Sequence, residues 1–231
     1  MSVTAARKTL KETMKNIIFD YGDVLIKTDC RRVYAPYFKS WDKATWFREN
    51  ILEPEWISRL DIGDDYASCI AALQKKYPDY SDAIAMYDTR FCDFLVGEMP
   101  GMSHVLDALR AEGYHLYGLS NYSHKIYDIQ QRVRIFHKLE GQIISSDVHT
   151  IKPDRRIFRI LLAKYDLTAE ESLFIDDRPA NISAARALGI STILFPAPAF
   201  TRQQILQGFT SGTAVPPEIT QFKKMLREAL R

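Results

Sequence analysis

The chain lacks most of what would tie a protein to a membrane, a nucleic acid or an oxidising compartment. No apolar run in its 231 residues approaches the roughly 20 needed to span a bilayer. The opening MSVTAARKTLKETMKN has no apolar centre of the kind a secretory signal carries. Charge of one sign is also missing: 31 basic and 29 acidic residues leave a formal charge of +2, too little to draw in nucleic acid or anionic lipid. The three cysteines, Cys30, Cys69 and Cys92, are odd in number and share no CxxC spacing, which argues against a disulfide framework and against a zinc site. The five histidines form no HExxH, and neither GxSxG nor GxxxxGK followed by Ser or Thr occurs. These absences predict a cytoplasmic protein with a small-molecule partner, no nucleic acid and no membrane.

What is present is a 46% hydrophobic chain, enough for a substantial core. Five short apolar runs read as strands: 16–20, 114–120, 141–145, 172–176 and 191–195. Helical patterns over 103–111, 123–133, 153–165 and 179–188 accompany them. Ser123, Pro153 and Pro179 mark starts, and Gly113 and Gly189 mark stops. The alternation predicts an α/β fold: a Rossmann-like parallel five-stranded sheet with helices on both faces. After Phe195 the stretches PAPAF and TSGTAVPPE read as surface loop, followed by an amphipathic helix from Glu218.

Residues 31–98 break this rhythm. They hold Trp41, Trp46 and Trp56, helical patterns over 66–77 and 82–96, and no convincing strand. With nine basic and twelve acidic residues the segment is no clamp for nucleic acid. The expected organisation is an N-terminal arm at 1–14, with Met14 a second candidate start, a core of 15–30 and 99–231, and an all-α domain at 31–98 inserted after the first strand.

In an open parallel sheet, ligands lie beyond the carboxyl ends of the strands. Asp20 ends the first run, Ser120 and Asn121 the second, Lys152 lies beyond the third, and Asp176 and Asp177 end the fourth. Singly, each has an ordinary explanation as a turn, a helix cap or a solvated loop residue. Together they suit phosphoryl transfer. A carboxylate can attack phosphorus, but it is anionic and must approach an anionic ester. A Mg²⁺ held by carboxylates, a carbonyl and waters, with a lysine beside it, supplies the positive charge. A hydroxyl and a backbone N–H hold the remaining phosphate oxygens.

The stretches FDYGDVL, LSN, IKPD and FIDDRPANISAARALG resemble, in order and spacing, the four motifs of the haloacid dehalogenase superfamily. The branch most resembled contains the phosphatase domain of soluble epoxide hydrolases and the bacterial glucose-1-phosphate phosphatases. The resemblance implies a sheet ordered 5-4-1-2-3, a cap domain at the insert, and hydrolysis of a small phosphorylated metabolite such as a sugar phosphate through an aspartyl-phosphate. Residue by residue, it implies Asp20 as nucleophile and Mg²⁺ ligand, and Ser120 and Asn121 as phosphate-binding groups. Lys152 becomes the neutralising cation, Asp177 and Asp176 metal ligands, and Asn181 a support for the metal waters.

One position departs from the pattern. Phosphatases of the superfamily usually place a second Asp, a general acid and base, two residues after the nucleophile, where this chain has Gly22. The Gly22 carbonyl can still ligate Mg²⁺, but no side chain there can move a proton, a contribution of about 10² to 10⁴ in rate. Asp23 reads as a turn carboxylate. The departure keeps two alternatives open: a weakly active or noncatalytic phosphometabolite-binding protein, and a metal-independent 2-haloacid dehalogenase, against which the acidic pair argues. Arg31 and Arg32, where the chain enters the insert, are candidates for a substrate oxygen, and the tryptophans read as insert core.

Overall fold

The computed structural model describes residues 14–230. The expected arm at 1–14 therefore lies almost wholly outside the described residues, and Met14 is buried against the core. In chain order the strands are β1 (Asn16–Phe19), β2 (Ile26–Thr28), β3 (Leu95–Glu98), β4 (His115–Ser120), β5 (Gly141–Ile144), β6 (Ser172–Asp176) and β7 (Ser191–Leu194). Five of them form one parallel sheet in the order β5-β4-β1-β6-β7. Read from the other edge, with the sheet strands counted among themselves, this is the expected 5-4-1-2-3.

Burial on both faces explains why the strands are apolar runs and not alternating ones. Successive side chains still point to opposite faces. Ile18, Leu119 and Phe174 join a core with Phe158 and Leu161 on one side; Ile17, Phe19, Leu116, Leu173 and Ile175 join the core on the other. On the first side lie α9 (Arg155–Lys164) and α10 (Pro179–Arg186); α6 (Met102–Ala111) and α12 (Pro217–Ala229) add buried faces to the second core. Short α7 (Ile126–Gln130), α8 (Ser145–Val148) and α11 (Arg202–Gln207) complete the layers.

Between β2 and β3 the chain forms α1 (Arg31–Phe38), α2 (Trp41–Asn50), α3 (Pro54–Asp61), α4 (Tyr66–Lys76) and α5 (Ser81–Thr89). Trp56 is buried within this insert, its indole N–H donating to the Cys69 carbonyl at 3.1 Å. Trp46 is exposed and Trp41 lies between the guanidinium groups of Arg31 and Arg202, so only one of the three tryptophans is buried core.

Three local expectations differ from the structure. The helix expected over 82–96 stops at Thr89; a 3-10 turn follows, and β3 pairs antiparallel with β2. Cross-strand pairing overrides a helical pattern that has no partner face there. The helix expected over 123–133 shrinks to α7, without a side-chain cap from Ser123. The helix expected from Pro153 starts at Arg155, where Asp154 caps it by accepting from the Arg156 N–H at 2.8 Å.

The register carries the sheet's consequence for chemistry. Phe19 pairs with Gly118 and Ile175, and Ser120 pairs with Ile144. Asp20, Ser120, Ser145 and Asp176 therefore emerge along one edge of the sheet, at its carboxyl ends. Gly118 is demanded by packing: a Cβ there would lie 2.1 Å from the Tyr21 hydroxyl, which reaches across the sheet to donate to Gln142 at 2.5 Å.

Candidate active site

Beyond that edge opens a cleft of about 480 Å³, within the range of small-molecule sites. Its floor is a hydrogen-bonded constellation. Asp20 leaves β1 with its N–H donating to the Ile175 carbonyl at 2.9 Å. Its Oδ1 accepts from the Tyr21 N–H at 2.6 Å, the Ser120 hydroxyl at 2.7 Å and the Lys152 ammonium at 2.9 Å. The same ammonium donates to Asp176 Oδ2 and to the Leu119 carbonyl, both at 2.8 Å. All three Lys152 donors are thus used, and the side chain is almost wholly enclosed.

Asn121 holds the lysine loop in place. Its Oδ1 accepts from the Lys152 N–H at 2.7 Å and its Nδ2 donates to the Lys152 carbonyl at 2.9 Å. The side chain expected to bind phosphate is therefore committed to the backbone beside Lys152. Asn181 donates to both oxygens of Asp176 at 3.0 Å, and Asp176 Oδ1 also accepts from the Arg178 N–H at 2.8 Å. Asp176 is saturated with donors; Asp177 instead faces the cleft.

The electrostatics separate these carboxylates. Burial pushes Asp20 up to about 7 and Asp176 adds to the rise, against the pull of Lys152 and Ser120. Burial and the neighbouring charges of Asp176 and Asp23 lift Asp177 to about 6. Burial works against ionisation of Asp176 too, but Lys152, the Arg178 N–H and Asn181 outweigh it and its pKa falls. Burial likewise opposes the Lys152 charge, and Asp20 and Asp176 overcome it, so the ammonium is held charged. One lysine cannot neutralise three carboxylates, and the two raised groups record the deficit.

That deficit is what a divalent cation would fill. Asp20, Asp176 and Asp177 offer oxygens within 4.8 Å of one another, an all-oxygen set of the kind Mg²⁺ takes. The residues present therefore fit the group.

The wall comes from the insert and the β2–β3 ribbon. Arg31 lines it, with its Nη2 on Asp29 Oδ2 at 2.5 Å and its Nε on Oδ1 at 2.9 Å. Arg32 does not: its guanidinium donates to the Leu95 carbonyl at 2.6 Å and fastens α1 to β3. Asp23 sits in a left-handed turn at φ 59° and pairs with Lys27 at 2.6 Å, consistent with a turn carboxylate. Gly22 lines the cleft with no positive φ, and a Cβ built on it would meet only Tyr122, at 3.9 Å.

Several cleft residues escaped the sequence reading, Asp61, Tyr122 and Arg178 among them. Tyr122 and Arg178 follow LSN and FIDD directly, so proximity to a motif was a usable signal. Asp61 lies in the acidic run LDIGDD of the insert, where nothing distinguishes it from a solvated helix end.

A parallel sheet whose strand ends present an aspartate, a hydroxyl, a lysine and an acidic pair defines a hydrolase of the haloacid dehalogenase type. The model for haloacid dehalogenase-like hydrolases matches residues 14–189, and the chain belongs to that family. Among curated relatives, it is 28% identical over 120 residues to the plasmid-encoded phosphoglycolate phosphatase of Cupriavidus necator, covering 50% of this chain and 52% of that one. It is 31% identical over 115 residues to glyceraldehyde 3-phosphate phosphatase of Pyrococcus abyssi, covering 48% and 47%. The chain thus spans about half the length of these relatives. Among solved structures, a family enzyme of Bacteroides thetaiotaomicron in complex with magnesium and inorganic phosphate superposes with TM-score 0.64 at 23% identity, covering 82% of this chain and 98% of that one. A dehalogenase solved with an intermediate superposes with TM-score 0.63 at 18% identity, covering 82% and 88%. The fold is therefore common to both chemistries. Among the described residues, no helix is long and apolar enough to cross a membrane.

Proposed function

We propose that the chain is a Mg²⁺-dependent phosphatase of a small phosphorylated metabolite, a sugar phosphate among the candidates, with residues 31–98 acting as a cap over a core of 15–30 and 99–231. The observation that carries this reading is the packing of three carboxylates, Asp20, Asp176 and Asp177, around a single buried lysine, which leaves Asp20 and Asp177 short of compensating charge. A dehalogenase that runs without metal has no use for such a deficit.

In this reading Asp20 is the nucleophile. The hydrogen bonds from Tyr21, Ser120 and Lys152 all fall on its Oδ1, which fixes the carboxylate plane and leaves Oδ2 to attack phosphorus. The P–O bond to the leaving group breaks as the aspartyl-phosphate forms; water then releases phosphate and regenerates Asp20. Lys152 pulls Asp20 toward its ionised form against burial and lies where it can neutralise an incoming phosphoryl oxygen. A backbone N–H at Asn121 holds a further oxygen, and the Ser120 hydroxyl joins it only by turning its one proton from Asp20 Oδ1. Asp20, Asp176, Asp177 and the Gly22 carbonyl would hold Mg²⁺, which would supply charge for a dianionic ester in a carboxylate-rich site. The bidentate grip of Asn181 on Asp176 makes it a support for that ligand set.

The test is turnover of p-nitrophenyl phosphate and a panel of sugar phosphates with and without Mg²⁺. Metal-dependent release of phosphate that Asp20→Asn abolishes is expected. Equal rates for wild type and Asp20→Asn would sink the enzyme reading and favour a phosphometabolite-binding protein. Halide release from 2-haloacids without metal would favour the dehalogenase.

A further inference from the structure

If the chain is a phosphatase, Gly22 leaves a vacancy: nothing at that position protonates the leaving group or activates water. The cleft contains other acids, and most are engaged. Asp23 pairs with Lys27 and Asp29 with Arg31; the Tyr122 hydroxyl bonds Thr28 at 2.9 Å. Asp61 is different. It lines the same cleft as the floor residues, and its carboxylate enters no ion pair among the described residues.

Its placement is built and not incidental. The Asp61 carbonyl accepts from the Ser145 hydroxyl at 2.6 Å, and that same Oγ accepts from the Tyr122 N–H at 3.0 Å. One serine at the end of β5 thus ties the C-terminus of α3 to the segment that follows Ser120 and Asn121. The next residue is fastened as well, with the Ile62 carbonyl 3.0 Å from His149 Nδ1. These ties fix the backbone at Asp61, whose side chain lines the same cleft as Asp20, Ser120 and Lys152.

We propose that Asp61 is the general acid and base that Gly22 lacks, delivered from the insert. In the first step Asp20 Oδ2 bonds to phosphorus, the P–O bond to the leaving group breaks, and that oxygen takes the Asp61 proton. In the second, a water gives a proton to the Asp61 carboxylate as its oxygen bonds to phosphorus; the P–O bond to Asp20 breaks and phosphate leaves. Asp61 ends protonated, ready for the next ester.

Its surroundings suit the task. Burial lifts the carboxyl to about 7, with the Asp20 charge adding to the rise and the Ser123 N–H and Arg178 opposing it. Tyr66, Tyr87 and Tyr122, which also face it, are themselves raised, burial being the first cause, and stay neutral. A carboxylic acid near neutrality can both give and take a proton.

This proposal rests on the phosphatase reading, and two esters separate the failures. Asp61→Asn should lower turnover of an alkyl phosphate, whose leaving group needs a proton, by about 10² to 10⁴. With p-nitrophenyl phosphate, whose leaving group departs unaided, the variant should still release a burst of p-nitrophenolate stoichiometric with enzyme. The phosphoryl-enzyme should then accumulate and be trapped by acid quench. The burst also reports an intact fold. Gly22→Asp in the Asp61→Asn background, which places a carboxyl where a Cβ meets no backbone, should restore turnover of the alkyl ester. Undiminished alkyl-ester turnover by Asp61→Asn overturns the proposal, as does a variant with native thermal melting and no burst, for then Asp61 only positions substrate. Wild type without turnover or burst on either ester overturns the phosphatase reading itself, and the proposal with it.

Discussion

The floor of the cleft and its wall are held together differently. On the floor, Asp20, Ser120, Lys152 and Asp176 stand at the ends of adjacent sheet strands or beside them and bond to one another, so each fixes the rest. On the wall, Arg31 and Asp61 belong to an insert that meets the core through separate ties, among them Ser145 to Asp61, His149 to Ile62, Lys125 to Asp88 and Arg202 to Asp42. The floor is a cooperative network in which one loss leaves buried charge uncompensated. The wall is modular, and one loss removes one contact. The attacking and neutralising groups stand where geometry is over-determined, while the wall supplies the proton from Asp61 and the selective contacts.

The largest effects should come from the floor. Asp20→Asn is expected to lower phosphate release by at least about 10³ while leaving the fold intact, because it removes the bond-forming atom; steady-state kinetics with a melting curve checks both parts. Lys152→Met should abolish turnover and also destabilise by about 3–5 kcal/mol, since Asp20 and Asp176 lose their common partner. Urea unfolding measures this, and the loss should shrink near pH 5, where the orphaned carboxyls can take up protons.

The raised carboxyls give a pH signature. Asp20 and Asp61 rise to about 7 and Asp177 to about 6 from an ordinary 3.8. Each binds its proton more tightly folded than unfolded, so the folded state holds more protons through the window from 3.8 to 7. Stability must then fall as pH rises through that window and level off above it. In EDTA the melting temperature should drop between pH 4 and pH 7, and Mg²⁺ should flatten the drop at its upper end. A metal-free melting temperature that climbs across that range would contradict this account of the floor.

Changes to the wall outside Asp61 should be smaller and separable. Arg32→Ala, which loses charge-assisted bonds to backbone carbonyls, should cost about 1.5–3 kcal/mol with KM unchanged. Arg31→Ala should raise KM severalfold with kcat nearly constant, because Arg31 lines the cleft and Arg32 does not. If the two variants exchange these phenotypes, the division between tie and contact is wrong.

This contrast also explains what could be read from the sequence. Asp20, Ser120, Lys152 and Asp177 each end or follow an apolar run, so local pattern and the rule of strand ends converged on them. Asn121 and Asp176 were found for the same reason, but their bonds were not, because a partner across the sheet leaves no local mark. The β2–β3 ribbon was missed since IKT and LVGE are too short to show a period. Asp61 was missed because its meaning depends on a tie to Ser145, 84 residues away.

Gly22 has a last consequence, for measurement. Its backbone conformation is open to any L residue, and the nearest atoms leave space for a side chain, whereas Gly118 is pinned by the Tyr21 ring. Substitutions at position 22 should thus change turnover with little penalty in melting temperature, and those at 118 the reverse. A saturation library at 22 reads out the cleft itself, space for substrate and proton delivery together, with the library at 118 as its built-in control for folding.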